Sequence, residues 1–172
     1  ISNLIEKQCN FAKNECIMGL EIERKFLVKT EIIEKYLLDG KLYKQGYLTN
    51  DPTRTVRVRV ADNQGFITIK GKSERISRVE YEYSIPVEEA ESLLLLSLNE
   101  PIEKIRYKII YKGHLWEVDR FLGANEGLWI AEIELQDESE SFEKPIWLGE
   151  EVSDDVRYYN AYIAQHPLKR KG

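Results

Sequence analysis

The sequence predicts a mainly β protein of the α+β class, built from antiparallel strands with three helices. Along eight segments, apolar and charged residues alternate with a period of two, which is the pattern of strands with one buried face. Short turn sequences such as Lys112-Gly113 join several of these segments. Links this short favour antiparallel hairpins over parallel crossovers.

The predicted elements follow one another through most of the chain. The strands are predicted at residues 20–28, 41–49, 54–60, 66–70, 78–85, 103–111, 115–121 and 129–135. The helices are predicted at residues 31–38, 87–98 and 154–165, where Thr30, Pro86 and Ser153 provide start signals. The 172 residues contain no repeat or linker, so we expect one domain.

Composition excludes several classes of function. The net charge of −5 argues against a general nucleic-acid binder, and the longest apolar run, the leucines at 93–96, is too short to cross a bilayer. The chain has two histidines and two cysteines, and both cysteines, Cys9 and Cys16, lie near the N-terminus. The chain therefore lacks the His and Cys ligands of a zinc site and the residues of a histidine-activated nucleophile. Any chemistry must use Asp, Glu, Lys, Arg and Tyr.

The N-terminal segment differs from the rest of the chain. Residues 1–17 lack the apolar core and cleavage site of a secretory signal. We expect them to form an extension before a natural start at Met18, outside a single domain that covers residues 18–172. That domain contains no cysteine, which fits the reducing cytoplasm as its location.

One face of each strand carries most of the charge. Glu21, Glu23 and Lys25 project in one direction from the first strand, since successive side chains of a strand alternate between its faces. Other strands continue this face as rows of acids or bases instead of the usual mixture with Ser, Thr, Asn and Gln. Alternation leaves two interpretations open: a sheet whose charged side lies in water, or a closed barrel whose charged interior binds a charged ligand.

A series of motifs accompanies these rows in a fixed order. After Glu21-x-Glu23-x-Lys25 come Gln45-Gly46-Tyr47-Leu48, Arg57-Val58-Arg59, Ile69-Lys70-Gly71, Arg78-Val79-Glu80-Tyr81-Glu82, Lys104-Ile105-Arg106, Trp116-Glu117-Val118-Asp119-Arg120-Phe121 and Ala131-Glu132-Ile133-Glu134-Leu135. Over residues 18–165 the sequence resembles the CYTH family, also called triphosphate tunnel metalloenzymes. The resemblance implies an eight-stranded antiparallel closed barrel with a charged lumen and amphipathic helices packed outside. Ser153 stands where close relatives often have Thr.

The resemblance also implies roles for the charged residues. Seven would bind the phosphate oxygens of the substrate: Lys25, Arg57, Arg59, Lys70, Arg78, Lys104 and Arg106. Seven carboxylates would hold Mg²⁺ or Mn²⁺: Glu21, Glu23, Glu80, Glu82, Asp119, Glu132 and Glu134. Lys25 or Lys104 would transfer the proton that catalysis requires.

The activity that the resemblance implies is metal-dependent hydrolysis of inorganic tripolyphosphate to pyrophosphate and phosphate. Three alternatives stay open: an adenylate cyclase of class IV, a thiamine triphosphatase, and a non-catalytic module that binds polyphosphate or nucleotides. The expected partner is a small triphosphate, with no nucleic acid and no membrane. A homodimer is the candidate assembly, for which exposed aromatics such as Trp147 and Tyr158 would provide contacts.

Overall fold

A computed structural model describes residues 17–51, 53–72 and 76–169 and contains the eight predicted strands. Their bounds, with those of a ninth strand that was not predicted, are β1 (Ile17–Val28), β2 (Lys41–Asp51), β3 (Arg54–Ala61), β4 (Gln64–Gly71), β5 (Ser77–Ile85), β6 (Ile102–Tyr111), β7 (His114–Phe121), β8 (Trp129–Glu134) and β9 (Leu148–Glu151). The predicted extension, with Cys9 and Cys16, lies outside the described residues except for Ile17, which begins β1.

The strands form one antiparallel sheet that closes on itself. Their order is β5-β4-β3-β2-β6-β7-β8-β1-β9, and β1 also pairs with β5. Two parts of the long strand β1 make this closure: residues 17–22 pair with β5, and residues 23–27 pair with β8. The predicted eight-stranded closed barrel is therefore confirmed, and β9 adds a short strand beside β1.

The main apolar core lies against the outer wall of β1, β6, β7 and β8. Phe26, Trp116 and Trp147 are its largest side chains, and none of them is exposed. Helix α1 (Thr30–Ile33), extended by a 3₁₀ turn at Glu34–Tyr36, adds Ile33 to this core. The prediction that Trp147 is exposed and available for a dimer contact was wrong, because the ring packs edge-on against Trp116 with centroids 5.5 Å apart.

Helix α2 (Val87–Leu94) covers a second part of the outer wall. It buries Ala90 and Leu94 against Val58 of β3, and it ends four residues earlier than predicted. The helix approaches β4 closely, since a Cβ added at Gly65 would lie 2.8 Å from the Cβ of Ala90. A larger residue at position 65 would therefore displace the helix.

Helix α3 (Asn160–Gln165) follows a 3₁₀ turn at Val156–Tyr158 and packs differently from α1 and α2. Its Ile163 lies in an apolar cluster with Ile102, Phe121 and Ile130, which share the strand parity of the charged rows. The helix therefore covers one end of the barrel interior. In the described part of the chain, no helix has the length and apolar character that a membrane span requires.

Candidate active site

The charged rows face the barrel interior. Arg57 of β3 contacts Glu82 of β5 at 3.3 Å, and Arg106 of β6 contacts Glu132 of β8 at 2.9 Å. Each of these ion pairs passes over an intervening strand, so both partners lie on the concave side of the sheet. Lys104 is only 1% exposed despite its charge. These rows therefore do not form a sheet surface in open water.

One group of charges joins β1, β6, β7 and β8. The Nζ of Lys25 lies 2.6 Å from Oε1 of Glu132, and Lys25 also pairs with Glu23. Arg106 donates from Nε to Oδ1 of Asp119 at 2.6 Å, and Lys104 pairs with the other oxygen of the same carboxylate. Since all these side chains are largely removed from water, each ionic state depends on its partners.

Burial and neighbouring charge shift the ionisation of this group. Although burial opposes ionisation, the positive charges of Lys25, Arg106 and Lys104 hold the pKa of Glu132 well below its usual range. Burial and the positive charge of Arg106 lower the pKa of Lys104 to about 8. An ammonium group with this pKa gives up a proton far more readily near neutral pH than an ordinary lysine does.

A second group joins β1, β4 and β5. Glu21 accepts from Nζ of Lys70 at 2.9 Å and from Nε of Arg78 at 2.7 Å. Against the effect of burial, these two positive charges hold the pKa of Glu21 far below its usual range. Glu80 lies 2.6 Å from Lys70. Burial, and to a smaller extent the hydrogen bond with Glu21, raises the pKa of Glu80, although the positive charge of Lys70 acts to lower it. This pair of carboxyl groups is therefore poised to share a proton or a cation.

A third group of charges joins β3, β4 and β5. Glu82 accepts from Nη2 of Arg59 at 2.9 Å and from the hydroxyl of Thr68 at 2.6 Å, and Arg57 contacts the same carboxylate. The Nε–H groups of Arg57 and Arg59 are buried, and neither has a hydrogen-bond partner among the described residues. A buried donor that lacks an acceptor is costly, so this part of the interior favours an anionic ligand.

Among the seven predicted metal ligands, Glu134 is the carboxylate that is least engaged with basic residues. Its strand partner across the β1–β8 ladder is Glu23, and in the described ranges no salt bridge reaches it. Partial loss of hydration and the negative charges of Glu21 and Glu117 raise its pKa, although the residue is exposed. A cation is therefore the partner that the Glu134 carboxylate lacks among the described residues.

The predicted metal ligands do not form a closed cage. Within residues 17–51, 53–72 and 76–169, no three or more Asp, Glu, His or Cys side chains are gathered as a ready metal site. Most of these carboxylates instead pair with basic side chains. Asp119 is fully buried, and its two oxygens accept hydrogen bonds from Lys104 and Arg106, so it would have to exchange these bonds to bind a metal.

Several neutral residues of the interior, among them Thr68, were not predicted from the sequence. Tyr43 on β2 lies between two basic strands, with its ring centroid 5.3 Å from the Cζ atoms of both Arg59 and Arg106. Gln45, two residues further on the same face, is fully buried and donates to the hydroxyl of Tyr47 at 3.5 Å. Their parity with Tyr47 was visible in the sequence, but the position of β2 between β3 and β6 was not.

Known proteins share both the sequence and the fold. Residues 19–159 match the family described as CYTH domain. An inorganic triphosphatase of Acetivibrio thermocellus is 52% identical over 153 residues, which cover 88% of this chain and 97% of the relative. An inorganic triphosphatase of Nitrosomonas europaea is 39% identical over 153 residues, with 84% and 96% covered.

A solved crystal structure of an inorganic triphosphatase has the same fold. It superposes with a TM-score of 0.61 at 35% identity and covers 88% of this chain and 97% of its own. The matched residues 19–159 contain all nine strands apart from the first two residues of β1, and they include every charged residue of the interior described above. The chain belongs to the CYTH family.

Proposed function

We propose that this protein is a divalent-metal-dependent hydrolase that splits inorganic tripolyphosphate into pyrophosphate and phosphate. The observation that carries the proposal is the convergence of basic side chains inside a closed barrel, where the buried Nε–H groups of two arginines find no acceptor in the part of the chain that the structure describes. The names of the two similar proteins, both inorganic triphosphatases, support the same substrate class.

The basic residues are suited to a chain of phosphates. Arg57 and Arg59 project from one strand, while Lys104 and Arg106 project from another, with β2 between them. Guanidinium groups bind phosphate oxygens through two parallel hydrogen bonds, and lysines act as compact positive charges. A linear triphosphate carries negative charge along its whole length, so it would contact both basic rows.

The balance of charge in the interior supports a metal requirement. The seven proposed substrate-binding bases are matched by the seven acids that the sequence predicts as metal ligands, and most of them are already paired. A polyanion that entered alone would therefore gain little net attraction. A divalent cation that entered with it would pair with the acids and leave the bases for the phosphates.

The donor set fits a hard cation such as Mg²⁺ or Mn²⁺. The predicted ligands are all carboxylates, and oxygen ligands suit these ions. Glu134, with its raised pKa and its acidic neighbours Glu21 and Glu23, is the first choice as a ligand, and Glu80 and Glu82 would complete the set. When bound, the cation would neutralise phosphate charge and favour attack by water.

The side chains of the protein would supply orientation and a proton. Arg57 and Arg59 would fix the transferred phosphoryl group in line with the water, since catalysis of this reaction depends on positioning and charge neutralisation. Lys104, with its pKa of about 8, is mostly protonated at neutral pH and would donate a proton to the leaving phosphate. Lys25 would hold its charge beside Glu132 and bind a phosphate oxygen.

Specificity for the bare triphosphate is also part of the proposal. Tyr43, which lies beside the basic rows, already packs against the guanidinium groups of Arg59 and Arg106. Because both guanidinium groups already lie against this ring, it offers no open platform for an adenine or thiamine ring.

We further propose the cytoplasm as the site of the reaction, because residues 18–172 contain no cysteine. The homodimer stays a prediction.

A comparison of substrates tests this proposal. Purified protein would be given tripolyphosphate, ATP or thiamine triphosphate with Mg²⁺ and then Mn²⁺, and phosphate, pyrophosphate and cyclic AMP would be measured. We expect equal amounts of phosphate and pyrophosphate from tripolyphosphate, at a kcat/KM far above that for the other two. Cyclic AMP from ATP, preferred cleavage of thiamine triphosphate, or binding without turnover would each overturn the proposal in favour of a different activity.

A further inference from the structure

The backbone of Lys25 lies where strand β1 changes the strand with which it pairs. Along one edge, β1 pairs with β5 as far as Ile22 and with β9 only from Phe26 onward. The peptide groups of Lys25 on this edge therefore have no strand to pair with. A segment after β9 takes them instead: Ser153 accepts from the Lys25 N–H at 3.0 Å, and the Val152 N–H donates to the Lys25 carbonyl at 2.8 Å.

The hydroxyl of Ser153 has partners on both sides. While it accepts from Lys25, it donates to Oε1 of Glu151 at 2.9 Å. The carbonyl of Ser153 accepts from the hydroxyl of Tyr159 at 3.0 Å, which fixes the segment on its other side. Ser153 is 7% exposed, so water has little access to these hydrogen bonds.

Glu151 connects this serine to the outer surface of the barrel. Arg24 donates to its two carboxylate oxygens from Nε at 2.7 Å and from Nη2 at 2.5 Å. The guanidinium group of Arg24 also lies 5.0 Å from the ring centroid of Phe142. Arg24 and Lys25 are neighbours on a strand, so their side chains point to opposite faces, the first outward and the second into the lumen.

We propose that Ser153 is a positioning residue that acts through Lys25. Its hydroxyl fixes the Lys25 peptide at the point where β1 changes from pairing with β5 to pairing with β9. This sets the direction in which the lysine side chain enters the lumen, where its Nζ lies 2.6 Å from Glu132. The Arg24–Glu151 pair holds the hydroxyl in place from outside. The inference rests on the proposed function, because it assigns Ser153 a part in triphosphate binding and turnover.

The first test compares two substitutions of the same residue. Ser153→Ala removes the acceptor of the Lys25 N–H, whereas Ser153→Thr keeps a hydroxyl at the same place. We expect Ser153→Ala to lower kcat/KM for tripolyphosphate by about 10-fold or more, as small misplacements of a binding group do. Ser153→Thr should retain an activity close to that of the wild type. Ser92→Ala, on the exposed surface of α2, is the matched control and should change nothing.

The second test separates positioning from a general structural role. In a Lys25→Met background the ammonium group is absent, so Ser153→Ala should produce no further loss of tripolyphosphate affinity or of residual turnover. If Ser153→Ala lowers both by the same factor with and without Lys25, Ser153 acts independently and the inference is wrong. Unchanged activity of Ser153→Ala in the wild-type background would also overturn it.

A third variant keeps the inference testable if Ser153→Ala does not fold. Glu151→Gln keeps the shape of the side chain that holds the hydroxyl but removes its charge, and it should show a smaller loss in the same direction. This loss should also disappear in the Lys25→Met background, and its persistence there would refute the role of Lys25. A wild-type protein that does not hydrolyse tripolyphosphate contradicts the proposed function itself, which distinguishes that failure from a failure of this inference.

Discussion

The Nζ of Lys25 and Oε1 of Glu132 are 2.6 Å apart, and their Cα atoms are direct partners across the β1–β8 ladder. Glu132 also accepts from Arg106, so one buried carboxylate holds cations from two strands. The residues that would bind substrate are therefore also the residues that hold the interior together.

Loss of the Glu132 charge should destabilise the fold. Glu132→Gln keeps the shape but leaves Lys25 and Arg106 without their shared anion, and breaking a buried pair in this way costs about 3–5 kcal/mol. Urea unfolding should show this as a lower midpoint. Glu103→Gln, which removes an exposed partner of Lys44, is the control and should change stability by less than about 1 kcal/mol. Equal midpoints for the two variants would show that the Glu132 network is not structural.

Loss of the Glu134 charge should affect turnover more than substrate affinity. Glu134→Gln removes the carboxylate least engaged by basic residues and leaves the basic rows intact. We expect phosphate release from tripolyphosphate to fall steeply and the Mg²⁺ concentration for half-maximal activity to rise. Glu150→Gln, an exposed acid on β9, is the matched control. An unchanged metal requirement in Glu134→Gln would remove Glu134 from the proposed ligand set.

Loss of Arg57 should weaken substrate binding. Arg57→Ala removes a buried guanidinium whose Nε–H has no partner in the described part of the chain, at a cost of about 1.5–3 kcal/mol for a charge-assisted hydrogen bond. Calorimetric titration with tripolyphosphate would measure this difference. Arg54→Ala changes an arginine of the same strand whose side chain is 72% exposed, and it should bind like the wild type. Equal affinities for the two variants would contradict the proposed role of Arg57.

Affinity for tripolyphosphate should fall as pH rises through about 8. Burial and Arg106 lower the pKa of Lys104 to about 8, so its ammonium charge is lost above that pH, while binding of an anion favours the charged form. Binding should therefore take up a proton above pH 8, with a loss of up to about ten-fold per pH unit. Lys104→Arg, which stays charged, should flatten this dependence, whereas Lys108→Arg at an exposed site should not. A wild-type profile that is flat between pH 7 and about 10 would contradict the assignment.

The strands were predictable because alternation is a local property of the sequence. Each predicted strand agrees with the structure to within about three residues, and only the resemblance decided that the charged face lies inside. Strand β9 escaped prediction because its four residues, Leu-Gly-Glu-Glu, are too few to show a period. The placement of α3 over one end of the lumen depends on Ile102, Phe121 and Ile130, which are apolar positions on otherwise charged faces.

The charged face of each strand was predictable, but the pairing of its side chains was not. Sequence parity placed Lys25, Asp119 and Glu132 on one face, whereas the ion pairs among them depend on strand register, which no local pattern specifies. For the same reason, the position of Tyr43 between two arginines and the contact of Ser153 with Lys25 emerged only from the fold. Trp147 looked like a surface residue because it lies outside every predicted strand and helix, yet its ring packs into the core.

The most direct test of the account is tripolyphosphate hydrolysis across a metal titration. Protein treated exhaustively with a chelator would be assayed for phosphate and pyrophosphate as Mg²⁺ or Mn²⁺ is added back. We expect no turnover without metal, because the acids of the lumen then cancel the charge of the bases. Added metal should restore turnover that yields phosphate and pyrophosphate in equal amounts. Turnover that survives chelation, or no hydrolysis of tripolyphosphate with either metal, would contradict it.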